Sequence, residues 1–149
     1  MKIEGRNRQG NFTLRLAQWG TDAALLQEVR RKVFVEEQNI PEVLEWDEHD
    51  PAAQHLLALD LDGRAIGTAR LLVDGHIGRI AVLKQWRSQG VGNELLNYLI
   101  ILNKKQGRRE ALLRAQVRVM PFYARHGFVA EGDEYLDAGI PHRMMRLVY

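Results

Sequence analysis

The stretch "WRSQGVGNE", Trp86 to Glu94, sets one arginine three residues ahead of two glycines that a single valine separates. It follows the strand-like "GRIAVL" and opens "VGNELLNYLIILNKKQG", where Val91, Leu95, Leu99 and Leu102 share one helical face with Leu96 and Ile100 beside it. A turn that feeds a helix gathers unpaired backbone N–H groups and the positive end of the helix dipole, so it attracts an anion. Glycines at 90 and 92 let the backbone approach a bulky group and take angles that a Cβ forbids. Arg87 adds a planar fork of donors, and the Ser88 hydroxyl another. Together these residue types describe a diphosphate cradle.

Two common glycine-loop readings fail here. A dinucleotide site wants G-x-G-x-x-G after a first parallel strand, but position 95 is leucine, the preceding strands form hairpins, and no acidic residue follows at the end of the next strand. A P-loop needs G-K-S/T, which is absent. A plain structural turn with a solvated arginine is the remaining alternative, and the surrounding elements must decide.

Those elements read as mixed α/β. "NFTLRLA" alternates apolar and polar residues as a half-buried strand does. Thr21 caps a helix whose Leu25, Leu26, Val29 and Val33 form one stripe, fading near Glu36. From Glu37 to Gln54, two prolines and six acidic residues read as a long acidic loop with at most a short helical turn. "HLLALDL", "AIGTARLLV" and "HIGRIAVL" follow as an antiparallel meander turned at Asp62-Gly63 and Asp74-Gly75. The long helix after the glycine turn closes at Gly107. "ALLRAQV" is a short buried strand, "MPFYARHG" a short helix between Pro121 and Gly127, and "HRMMRLVY" a final strand. The crossover helix implies one parallel contact within an otherwise antiparallel sheet.

Composition narrows the function classes. The 149 residues suit a single domain spanning 1–149, with 46% hydrophobic and 27% charged residues as in ordinary globular chains. Without cysteine there is no disulfide, thiolate metal site or cysteine nucleophile, and the five histidines lack H-x-x-x-H spacing, so no metal is expected. "MKIEGRNRQGNFTL" lacks the apolar core of a signal peptide, and "YLIILN" is too short to span a bilayer. The expectation is a cytoplasmic protein with no membrane partner. A net charge of +2 and the lone basic cluster "KKQGRR" argue against nucleic acid.

"GRIAVLKQWRSQGVGNELL" resembles the acyl-CoA-binding motif of the GNAT superfamily of N-acetyltransferases, Q/R-x-x-G-x-G/A after a strand of alternating aliphatics, with Arg87, Gly90 and Gly92 in place. Phe122, Tyr123, Gly127 and Phe128 match the second signature, F-Y-x-x-x-G-F before a closing hairpin. "VRRKVFVEEQNIPEVLEWDEHDPAAQHLLA" is similar to the ElaA-like branch, and the likeness runs from about Leu14 to Leu147. The resemblance implies the GNAT fold: six or seven mostly antiparallel strands with a central, splayed parallel pair, flanked by helices.

The resemblance also implies acetyl-CoA as acyl donor and a small-molecule amine as acceptor, and it leaves a homodimer open. The backbone of Ile80, Ala81 and Val82 would pair with the pantetheine arm, and Arg87 with the amides of Ser88, Gln89, Gly90, Val91 and Gly92 would hold the diphosphate. Gln116 and Phe122 adjoin the cofactor, and Tyr123 is the general acid for the departing thiolate. An alkyl amine is mostly protonated at pH 7, so a base is needed, and His142 in "GIPH" is the first candidate. Glu37, Glu45, Asp47, His49 and His55 are the alternatives. Arg30 or Arg70 would serve an acceptor that carries a carboxylate. The rival function is a GNAT-like domain that binds acyl-CoA without transferring it.

Overall fold

Residues 10–149 are described by a computed structural model, so the reading of "MKIEGRNRQ" lies outside the described residues. Alternation in "FTLRLA" buries Phe12 and Leu14 and makes strand β1 (Phe12–Ala17). Helix α1 (Trp19–Arg30) follows, then a one-turn α2 (Glu42–Glu45). The meander is β2 (Gln54–Asp60), β3 (Ala65–Leu71) and β4 (His76–Val82). After it come α3 (Val91–Lys105), β5 (Glu110–Gln116), the short α4 (Met120–Ala124), β6 (Val129–Asp137) and β7 (Ile140–Val148).

The seven strands form one sheet in the order β1-β2-β3-β4-β5-β7-β6. Every neighbouring pair is antiparallel except β4 and β5. Strand β3 is buried along its whole length, with α1 and α3 both packed on it. Gly67 of β3 lies under α3: a Cβ there would come within 3.1 Å of Val91 and 3.2 Å of Leu95. That close seat fixes the first turn of α3 against the sheet.

Two local expectations change. Gln18, not Thr21, caps α1; the Asp22 carboxylate accepts the Gln18 N–H at 2.8 Å, and Thr21 lies inside the first turn. Beyond Arg30 the helix continues as a π-helix, Arg31–Glu37, which turns Phe34 into the core and delivers Glu37 to Arg87 beyond β4 and Gln38 to the end of β5.

The acidic stretch departs most from its sequence reading. Glu45 and Asp50 are buried, because the fully buried Arg30 donates from Nε to Glu45 at 2.8 Å and from Nη1 to Asp50 at 2.8 Å. Arg70 bonds Asp47 and Asp50 at 2.8 and 3.0 Å, and Arg79 lies 3.2 Å from Glu45 and 3.3 Å from Asp47. Trp46 covers the Arg30 guanidinium at 5.2 Å. Burial raises the Glu45 carboxyl. In Asp50 the same desolvation is outweighed by Arg30 and Arg70, and its carboxyl falls below the usual range. Three guanidinium groups and three carboxylates thus replace what the sequence presents as a solvated loop.

Removing one partner strands a buried charge, so Arg30→Ala should lower the unfolding free energy by about 3–5 kcal/mol. Urea titration checks this, and a midpoint equal to the parent's would contradict the network's role.

Candidate active site

The glycine turn opens α3. Gly90 is the N-cap of α3 with φ 91°, left-handed backbone that a residue with Cβ adopts at a cost. Among the described residues no side chain caps the helix, so its first-turn N–H groups lack a side-chain acceptor. Ser88, with φ 63°, and Gln89 are exposed on the same turn. Of the two glycines, only Gly90 takes left-handed backbone. Gly92 lies within α3 without a positive φ, and a Cβ there would only touch the Phe122 ring at 3.5 Å. Phe122 thereby links α4 to the turn.

Arg87 is engaged within the chain. Its Nε donates to the Val82 carbonyl at 3.0 Å, and its Nη2 to Glu37 at 2.8 Å. Glu37 thus occupies the guanidinium that the sequence assigns to an anion.

Strands β4 and β5 pair only at His76–Leu112 and Ile77–Leu113 and then part. A bulge helps separate them: Thr68 faces Ala81 and Arg70 faces Gly78, so Ala69 opposes both Arg79 and Ile80. Arg79 takes φ 49°, held by its carboxylate partners. Leu83 donates to Ile66 of β3 at 2.9 Å, so the alternation of the ladder turns the Val82 N–H to the edge that β5 has left. Ala81 is buried, while Ile80 and Val82 are half-buried beside the gap.

Two cavities adjoin this gap. The smaller, about 180 Å³, is lined by Phe34, Gln38, Ile80, Gln116, Tyr123 and His142. The larger, about 810 Å³, has Asp47, Glu48, His49 and Asp74 on its walls. Both include Gly78, Arg79, Arg114, Asp137 and His142, which therefore stand at their junction.

Tyr123 packs edge-on against Phe122 and Phe128 at 5.1 and 6.1 Å between ring centres. Among the described residues its hydroxyl has no partner, and burial pushes its pKa up to about 12. His142 faces Gln116 of β5 and Tyr135 of β6 in register and stacks on the latter at 5.9 Å. Its Nδ1 lies 2.7 Å from the Ile140 carbonyl. A carbonyl only accepts, so Nδ1 carries the hydrogen and the neutral ring keeps its lone pair on Nε2. Gln116 reaches Gln38 of the π-helical segment at 2.9 Å, bridging the cleft from the other side.

The other base candidates are mostly occupied. Glu37 holds Arg87, Glu45 holds Arg30 and Arg79, and Asp47 holds Arg70. His55 is buried against Trp19 with Nε2 on the Asp50 carbonyl at 2.8 Å, and desolvation lowers its pKa. His49 is exposed on the larger cavity. Arg30 and Arg70 are both paired with carboxylates inside the fold, Arg70 on the wall of the larger cavity. Sequence reading missed Arg79, Arg114 and Asp137. For Arg114 the signal was present, since Ala111, Leu113 and Ala115 alternate into the core and leave Arg114 and Gln116 on the other face.

Residues 19–149 match the acetyltransferase (GNAT) domain family. The chain belongs to the GNAT acetyltransferase family. It is 40% identical over 121 residues to an uncharacterized N-acetyltransferase, YjcF, of Bacillus subtilis, covering 78% of this chain and 86% of that one. In structure it resembles an acyl-CoA N-acyltransferase from Pseudomonas aeruginosa, with TM-score 0.82 and 29% identity over 92% of this chain and 99% of that one. Escherichia coli ElaA superposes with TM-score 0.81 and 26% identity over 91% of this chain and 99% of that one, so the ElaA-like branch fits. This GNAT chain is an acyltransferase, and its mixed sheet with the parallel β4–β5 pair is the GNAT fold. Among the described residues no helix is long and apolar enough to cross a membrane, and no group of metal-ligating side chains occurs. In the basic cluster, Lys104 lies over Tyr149 and Arg108 bonds Asn103, Gln106 and the Val73 carbonyl.

GNAT enzymes use acetyl-CoA, and the turn gives its binding a test. Glu37→Gln frees Arg87 from a surface ion pair, so CoA should bind up to about fivefold more tightly by calorimetry. Gly90→Ala should weaken CoA binding and lower stability by about 1–2 kcal/mol. Normal CoA affinity in Gly90→Ala would mean that the cradle lies elsewhere.

Proposed function

We propose that this chain is an acetyl-CoA-dependent N-acetyltransferase, one domain over residues 1–149, that acetylates the primary amine of a small molecule by direct attack. The observation that carries the reading is that His142, whose Nε2 has no partner among the described residues, lines the same cavity as Tyr123 beside the β4–β5 gap. A domain that only binds acyl-CoA has no use for an oriented imidazole there.

Arg87 and the amides of Ser88 to Gly92 would hold the diphosphate, and the open edge of Ile80 to Val82 would hold the pantetheine arm beside Gln116 and Phe122. The fit rests on the uncapped, left-handed start of α3 and on the unpaired edge of β4. Acetyl-CoA supplies an activated acetyl group and a thiolate leaving group.

His142 Nε2 takes the amine proton as nitrogen bonds to the acetyl carbon. The Val82 N–H donates to the carbonyl oxygen as it gains charge in the tetrahedral intermediate. Tyr123 gives its proton to the sulfur as the C–S bond breaks, and solvent restores it. A phenol at about 12 is a weak acid beside an ordinary thiol near 8.5, but the same desolvation raises the thiolate's basicity and narrows the mismatch.

His142→Ala should lower kcat about 100-fold or more with acetyl-CoA affinity retained, because general base catalysis contributes roughly 10²–10⁴. Tyr123→Phe should lower kcat about tenfold or more. Unchanged turnover in either removes that residue from its role.

The acid form of Tyr123 is needed and persists until pH nears about 12. The rate should therefore rise with pH as the amine deprotonates, with no fall up to about pH 10. A fall between pH 8 and 10 in the parent that is absent in Tyr123→Phe would overturn the assigned protonation state.

A further inference from the structure

The charges around the larger cavity are not cancelled evenly. Arg70 and Arg79 on its wall each hold carboxylates of the chain within 3.3 Å. Arg114 holds none. Among the described residues its exposed guanidinium makes no ion pair and no hydrogen bond, although it lines both cavities. It lies two residues before Gln116, so it projects from the same face of β5 as the residue opposite His142.

Asp137, in the last position of β6, also lines both cavities, and its side chain makes no hydrogen bond or ion pair among the described residues. Arg114 and Asp137 do not pair with each other. The junction therefore presents one free cation and one free anion as separate groups beside the oriented imidazole. A guanidinium fork suits a planar carboxylate, and a free carboxylate attracts an ammonium group. A simple polyamine would meet the Arg114 charge as repulsion.

We infer that the acceptor is an amino-acid-type molecule, with Arg114 binding its carboxylate and Asp137 drawing its amino group toward His142. This rests on the reading of His142 as the base at the acceptor end. In the transfer the bound ammonium first releases one proton to solvent, then the neutral amine nitrogen bonds to the acetyl carbon and the C–S bond breaks. The amine proton goes to His142 and the sulfur receives one from Tyr123, so an N-acetyl amino acid and a free thiol result. Arg114 selects the acceptor and takes no part in proton movement.

The test compares the twenty L-amino acids, their carboxamides and their decarboxylated amines as acceptors, reading free thiol and acetylated product with the full chain. At least one amino acid should exceed its own amide and amine about tenfold or more in kcat/KM. Arg114→Gln should remove that preference, raising KM for the amino acid about tenfold while leaving the decarboxylated amine within about twofold. The binding of acetyl-CoA should not change in the variant. Amine acetylation with no preference for a carboxylate, or a preference that survives Arg114→Gln, overturns the inference and leaves the acetyltransferase reading standing. Product from none of the acceptors, with acetyl-CoA bound, overturns the inference and counts against transfer itself.

Discussion

The ion network of Arg30, Arg70 and Arg79 with Glu45, Asp47 and Asp50 is the constraint on which the site depends. It joins α1, the acidic stretch, β3 and the bulge of β4, four pieces of chain distant in sequence. Burying charge is favourable only where partners and hydrogen bonds are complete, so the network tolerates few arrangements. Arg79 belongs to it while holding left-handed backbone at the point where β4 turns away from β5. The electrostatics of the acidic stretch and the opening of the sheet are thus one feature.

From that opening the other parts follow. Once β4 has left β5, β5 continues beside β7 alone, and that register places Gln116 opposite His142. The π-helical end of α1 brings Phe34 and Gln38 over the smaller cavity and Glu37 to Arg87. Gly67 lets α3 sit close enough to the sheet for its uncapped start to lie at the end of β4. The ends of the cleft are set by three different devices: a glycine seat, a change of helical pitch and a bulge.

Much of the framework was legible in the residues. Period-two and helical alternation identify the meander and α3, because burial of one face leaves a direct mark on the order of apolar residues. Local residue types likewise nominate the arginine and glycine of the turn for an anion site, which belongs to the proposed function. The acidic stretch was not, since a carboxylate buried against arginine and one in water are the same letter. Nor does periodicity separate a π-helix from an α-helix over seven residues, or show that Glu37 would meet Arg87 fifty residues on. His142 could be nominated from its position, but its tautomer depends on the Ile140 carbonyl, which only the folded turn provides. Arg114 is identified as free only once its neighbours in space are known.

The most direct measurement is a crystal structure of the chain with acetyl-CoA bound. The account predicts the diphosphate on the amides of Ser88 to Gly92 and the thioester oxygen within hydrogen-bond distance of the Val82 N–H. The sulfur should lie beside the Tyr123 hydroxyl, with His142 Nε2 open to the larger cavity. A thioester lying outside the β4–β5 gap, or a His142 ring turned so that Nε2 bonds the protein, would contradict it.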